Sequence, residues 1–204
     1  SSGEDRSGLG LLSVPTDVPP GTTFLALTNN LISTLEDNCF AYLSQLKNVY
    51  LTNNRIKSIG THAFNGTLMR SLSIATNEIT RFPNLMDVKS TLEKLWINGN
   101  PIRIIRSHHL KGLDKLFKLC VGNSQIYSLP DVVSLLPSLK IFEIVSMDFE
   151  CCKKMLTLKD DFFNQSVLVI RPEPCSYPAS SKSVDWWNIT RNELEIPCPG
   201  TFCV

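Results

Sequence analysis

Apolar and polar residues follow one recurrent arrangement over most of the chain. The pattern L-x-x-L-x-L-x-x-N-x-L-x-x-L is met as T-T-F-L-A-L-T-N-N-L-I-S-T-L from Thr22, as L-K-N-V-Y-L-T-N-N-R-I-K-S-I from Leu46 and as M-R-S-L-S-I-A-T-N-E-I-T-R-F from Met69. Further copies begin at Leu92, Leu116 and Leu139, so that successive starts lie 24, 23, 23, 24 and 23 residues apart. Apolar side chains hold the fourth and sixth places of each unit: Leu25 and Leu27, Val49 and Leu51, Leu72 and Ile74, Leu95 and Ile97, Leu119 and Val121, Phe142 and Ile144. Alternation with period two is the signature of one face of a short strand, and these residues are expected to point into a core. A unit this short cannot bury its apolar face alone, so a fixed period predicts stacked repeats with a shared core.

The ninth place carries Asn30, Asn54, Asn77 and Asn100, then Ser124 in the fifth unit and Met147 in the sixth. It falls where the chain leaves the strand and turns, and an amide there can bond backbone groups of neighbouring turns that would otherwise be buried and unpaired. The second half of each unit carries one large apolar residue, Phe40, Phe64 or Leu110. Asp87 and Ser134 stand there in units three and five, so Leu85, Val88 and Leu135 are expected to fill the space.

Composition narrows the setting. The 204 residues are 43% hydrophobic, enough for a real core, and 20 Lys and Arg stand against 19 Asp and Glu. No global field favours nucleic acid. The longest apolar runs fall far short of the roughly 20 residues a membrane-crossing helix needs, so no direct membrane insertion of this segment is expected. No charged and apolar leader opens the chain, which predicts a form from which any signal peptide has been removed. Seven cysteines stand at 39, 120, 151, 152, 175, 198 and 203, five of them at position 151 or beyond. Three N-x-[ST] sequons, at Asn65, Asn164 and Asn188, accompany them. Both features suit an oxidising, glycosylating route, so an extracellular protein, secreted or the ectodomain of a cell-surface one, is expected.

Taken over about Thr22 to Phe149, the six registered copies resemble the extracellular leucine-rich repeat family, in the subclass with units near 24 residues that includes variable lymphocyte receptors and Toll-like ectodomains. The resemblance implies an α/β repeat solenoid: a curved leucine-rich repeat solenoid with a parallel β-sheet on its concave face and an irregular or short-helical convex side. G-L-G-L-L-S-V-P-T-D-V-P-P-G-T-T from Gly8 resembles the end of that family's N-terminal cap, without the usual cysteines. The expected organisation is an N-terminal cap remnant at 1–21, six repeats at 22–148 and a C-terminal cysteine-rich cap at 149–204. In that cap Cys151, Cys152, Cys175 and Cys198 resemble the family's disulfide framework. The usual residue between the first two cysteines is missing, which leaves the pairing open. Zinc and redox chemistry want a C-x-x-C spacing that the adjacent pair lacks. Cys39 reads as a small buried hydrophobe. Cys120 stays open between a free thiol, a packed side chain and an intermolecular link.

Side chains at places three, five and seven are expected on the concave sheet. The columns are Phe24, Asn48, Ser71, Lys94, Lys118 and Ile141; Ala26, Tyr50, Ser73, Trp96, Cys120 and Glu143; and Thr28, Thr52, Ala75, Asn98, Gly122 and Val145. At ~4.8 Å per strand six strands span about 24 Å, room for a protein loop or short peptide. Tyr50 and Trp96 are the large aromatics enriched at binding hot spots. Asn48, Lys94, Asn98, Lys118 and Glu143 supply polar recognition, and the small Ser71, Ser73 and Ala75 predict a dip between the two rings. The expected function is an extracellular recognition module for a protein or glycan, with an innate-immune or receptor role implied by the resemblance. The alternative is a structural or adhesive homo-oligomer, and a homodimer stays open. No cofactor, metal or enzyme activity is expected. His62, His108 and His109 all fall in convex halves, the last two in an expected surface loop, and no nucleophile or phosphate-binding motif is present.

Overall fold

The computed structural model describes residues 2–126 and 129–144, residue 192, and the backbone of three later strands. In chain order the strands are β1 (Gly3–Asp5), β2 (Phe24–Ala26), β3 (Thr34–Leu35), β4 (Asn48–Tyr50), β5 (Ser58–Ile59), β6 (Ser71–Ser73), β7 (Lys94–Trp96), β8 (Lys118–Cys120), β9 (Ile141–Glu143), β10 (Phe149–Glu150), β11 (Leu168–Ile170) and β12 (Cys175–Tyr177). One-turn helices α1 (Ser107–Leu110) and α2 (Val132–Leu135) and a 3-10 turn at Met86–Val88 lie on the opposite side. Eight strands pair in parallel in the order β1-β2-β4-β6-β7-β8-β9-β11. This is the parallel solenoid that the family resemblance implies, each of the six repeats giving one strand at places three to five.

The strands stop after three residues because the chain turns at the eighth place. Asn29, Asn53, Thr76, Gly99 and Asn123 all stand there with positive φ, between 49° and 70°. Asn and Gly tolerate this region, whereas the β-branched Thr76 is strained in it. Behind each strand the fourth- and sixth-place residues are buried, and Phe40 and Phe64 stack with ring centroids 6.3 Å apart in the convex layer. Leu85 and Val88 bury in unit three as expected. In unit five Val132 and Leu136 bury instead of Leu135, which is only half-buried, because α2 turns those two inward.

The ninth-place amides tie neighbouring turns together. Asn77 donates from Nδ2 to the Leu51, Ile74 and Ala75 carbonyls at 3.0, 3.0 and 3.1 Å, and its Oδ1 accepts from Ile56 N at 3.0 Å. Asn54 and Asn100 repeat the arrangement one turn away on either side. Asn30 does the same toward the N-terminal segment, bonding Arg6 O, Leu9 N and Leu11 N. Among the described residues the buried hydroxyl of Ser124 finds no partner.

The sheet extends beyond the six repeats at both ends. β1 pairs with β2 and puts Glu4 beside Leu25, in the row where the repeats carry core residues. Arg6 pairs with Glu4 and with Asp17, each at 3.3 Å, so charge closes that end of the core. At the other end β11 pairs with β9, Leu168 beside Ile141, while β10 and β12 form a small parallel pair. A second two-stranded sheet, β3-β5, runs on the convex side, which the sequence reading expected to be irregular or short-helical. Val145, Met147, Cys151, Cys152, Asn164, Asn188, Cys198 and Cys203 lie outside the described residues, and Cys175 is described only through its strand backbone.

Candidate functional site

Parallel registers set the predicted columns side by side. Phe24, Asn48, Ser71, Lys94, Lys118 and Ile141 form one row across the concave face, and Ala26, Tyr50, Ser73, Trp96, Cys120 and Glu143 the next. Asn48, Tyr50, Lys94, Trp96, Lys118 and Glu143 are all half-buried in these rows. Asn98 is half-buried at the rim two residues past β7, its carbonyl accepting from Thr76 N at 2.8 Å.

The rows form a tilted aromatic strip. The Phe24 and Tyr50 rings lie 5.4 Å apart at 41°, and Tyr50 and Trp96 lie 6.3 Å apart at 40°. One strand, β6, lies between Tyr50 and Trp96, so two strand spacings, about 9.6 Å of sheet, separate them. The rings lean together across Ser73 and cover it. The expected dip is therefore roofed: Ser71, Ser73 and Ala75 are only 6%, 5% and 6% exposed. Short side chains leave space that the rings fill by tilting, and the hydroxyls of Thr52 and Ser73 meet beneath at 2.7 Å. The strip ends in positive charge. Lys118 Nζ stands 5.2 Å over Trp96 and Lys94 Nζ 5.5 Å over Phe117, cation–π contacts that hold both ammonium groups over apolar surface. The strip thus includes Phe24 and Phe117, which sequence reasoning did not place in the site. Phe24 heads a predicted column, so its signal was present; Phe117 stands in a second place with no assigned direction.

Cys120 is a free thiol, fully buried, with Sγ donating to Glu143 Oε2 at 3.3 Å. Burial first, and then the Glu143 carboxylate, push this thiol up to about 12. Cys39 is a half-buried free thiol that donates to Ala63 O at 3.7 Å and is likewise pushed up to about 12, chiefly by burial. Neither offers a thiolate near neutral pH.

The convex side holds the three histidines. His62 Nδ1 meets Asp87 Oδ1 at 3.2 Å. His108 and His109 lie in α1, a helix where a loop was expected, because Arg106 N donates to His109 Nδ1 at 3.0 Å and closes the turn. The His109 ring stacks on Phe82 at 5.3 Å, and its pKa is lowered by burial, then by the charges of His108 and Arg106. Among the described residues no group of three or more His, Cys, Asp and Glu side chains is placed to hold a metal ion.

A feature with little signal in the repeat pattern lies nearby. Gly60 N donates to Leu35 O at 2.8 Å and continues the β3-β5 sheet, but the corresponding residue of unit three is Pro83, which has no N–H to give. The convex sheet stops there. Clefts of about 380 Å³ and 480 Å³ flank Phe82, Pro83 and Asn84, one toward Met86, Lys89, α1 and Lys111, the other toward Lys57, Ile59 and Arg81.

A stack of short units with a parallel inner sheet, an asparagine ladder and an apolar core defines a leucine-rich repeat protein, and the relatives it resembles make it an extracellular one. It is similar to biglycan of Sus scrofa, 35% identical over 122 residues that cover 59% of this chain and 44% of the relative. Podocan of Mus musculus is 30% identical over 129 residues, 58% of this chain and 21% of the relative. Leucine-rich repeat-containing protein 3 of Rattus norvegicus is 40% identical over 60 residues, 29% of this chain and 23% of the relative. The chain thus spans less than half the length of each. No family model matches it. Among the described residues no helix is long and apolar enough to cross a membrane.

Proposed function

We propose that the chain is a protein-binding module of the extracellular space whose concave strip is the docking surface. The observation that carries this reading is the run Phe24, Tyr50, Trp96 capped by Lys118: half-exposed rings in contact, on a rigid sheet, ending in a cation. Such rings lose little side-chain entropy on binding and desolvate well, which is why aromatic residues dominate binding hot spots. Asn48, Lys94, Asn98 and Glu143 supply the polar rim. The receptor or innate-immune role implied by the family resemblance is the finer form of the same reading. The test is capture of extracellular-matrix proteins by the immobilised chain, with Tyr50→Ala/Trp96→Ala and Lys118→Glu beside it. Each aromatic truncation is expected to cost about 2 kcal/mol, roughly 30-fold in affinity. Capture undiminished in both variants moves the site elsewhere. A dimeric mass in solution that these variants reduce to a monomer favours the adhesive homo-oligomer.

Two modifications accompany this proposal. Asn65 is exposed on the convex side, its Nδ2 donating to Asn38 Oδ1 at 2.9 Å, while Thr67 turns inward and donates to Phe64 O at 2.8 Å. A glycan there leaves the concave strip clear, and a glycosidase-sensitive mass lost in Asn65→Gln tests it. Asn164 and Asn188 are proposed acceptors on their sequons alone. Cys175 opens a strand paired with β10, which ends one residue before Cys151. That pairing supports a disulfide from Cys175 to Cys151 or Cys152, with Cys198 bound to the other; a non-reducing peptide map decides.

A further inference from the structure

The interruption at Pro83 leaves a basic, apolar-floored groove on the convex side, far from the concave strip in the repeat. Its floor is Phe82, Leu85 and Leu113, exposed by only 6%, 3% and 2%. Met86 N donates to Asn84 Oδ1 at 2.9 Å, and this tight turn leaves the Met86 side chain outward and 53% exposed at the lip. Among the described residues no Asp or Glu lines either cleft. Lys57 is matched by Glu78 at 3.2 Å, but Arg81, Lys89 and Lys111 make no ion pair among the described residues. In a chain with a net charge of only +1, three unmatched cations around an acid-free groove are a local concentration. We propose that this groove docks an acidic peptide segment of a partner protein, one apolar side chain seated against Met86 and Leu113, its carboxylates facing Lys89 and Lys111 and, where it runs past Asn84 into the adjoining cleft, Arg81.

The apolar floor distinguishes this occupant from a sulfated glycan. A glycan satisfies the cations but brings hydroxyls that lose water against Leu85 and Leu113 without gaining partners. An acidic peptide with Leu or Phe satisfies both, and the methionine lip adapts to the side chain it meets. The rim cations speed encounter, and their contribution falls as salt screens them.

The test uses the intact chain and a fluorescein-labelled peptide of sequence E-E-L-F-E-E. Its comparison ligands are K-K-L-F-K-K, E-E-S-S-E-E and a heparin-derived hexasaccharide. The expected result is saturable anisotropy with the first peptide only, weakened at least tenfold by Lys89→Glu/Lys111→Glu and by Met86→Glu, and reduced by added salt. Lys89→Gln/Lys111→Gln, which alters charge alone at exposed sites, is expected to weaken it less. Tyr50→Ala/Trp96→Ala is expected to leave it unchanged. The proposal is overturned by absence of saturable binding, by equal binding of the serine or lysine peptide, by variants that keep full affinity, or by a hexasaccharide that binds more tightly than the peptide.

Discussion

Units four and five of the solenoid have the same strand, the same core places and almost the same length, yet they differ in one side chain at the ninth place. In unit four Asn100 reaches back to Ile74 O, bonds its own Ile97 O and accepts from Ile79 N, all within 3.0 Å. In unit five Ser124 is half-buried, its buried hydroxyl unpartnered among the described residues, and the unit-four amide of Ile102, which matches Ile79, receives no such acceptor from it. Polarity alone does not satisfy this place. It needs a separate donor and acceptor on a stem long enough to touch two turns at once, and serine carries both on one short-stemmed oxygen. The ladder thus holds the N-terminal units and lapses where the described chain approaches the C-terminal segment.

Breaking the intact part should have the largest effect. Asn77→Ala removes four hydrogen bonds, strands the Ile56 amide and leaves the Leu51, Ile74 and Ala75 carbonyls with only their donors from Asn54, Asn100 and the Asn53 amide, and is expected to cost about 3 kcal/mol in chemical unfolding. An unchanged midpoint would show that water replaces the amide. Copying the unit-five defect into unit four, as Asn100→Ser, should cost about 2 kcal/mol, since one hydroxyl remains. The reverse change, Ser124→Asn, should add about 1 kcal/mol and slow amide exchange through β8. If exchange there is already as slow as in β4 and β6, the contrast between the units is wrong. Thr76→Asn removes a β-branched residue from positive φ and places there the residue found at Asn29, Asn53 and Asn123; a gain of about 0.5 kcal/mol in the same assay is expected. The smallest effect is with pH. Cys120 has a pKa raised in the fold, so its contribution is complete below the ordinary thiol value of 9.0 and is lost as pH rises toward about 12. Stability should therefore decline more steeply above pH 9 in the native chain than in Cys120→Ala.

The fold was legible because its determinants are local and repeated. Leu25 and Leu27 recur as pairs at a fixed period, and six copies constrain one another as no single motif does. The concave rows were legible for the same reason, since parallel pairing carries the repeat register directly into neighbouring places. What failed was where a side chain depends on its neighbours across strands. Nothing in the spacing of Tyr50 and Trp96 says that the rings lean together and roof Ser73. The helix that holds His108 and His109 depends on a bond from Arg106 N to the His109 ring, which no repeat pattern encodes. β1 and β11 escaped because Glu4 breaks the apolar alternation and Leu168 lies outside the period, and it is backbone pairing that makes both strands part of the sheet.

The sequence by itself determined the solenoid, the direction of its core and the residues presented on its inner face, because strand alternation and a constant period need only local chain geometry. Only the tertiary structure decided which of those residues touch, which thiols are sealed from water and where the convex sheet stops. Each of these depends on the distance between groups about a repeat apart, and on whether the partner facing a given atom, as at Pro83 or Ser124, has a hydrogen bond to give.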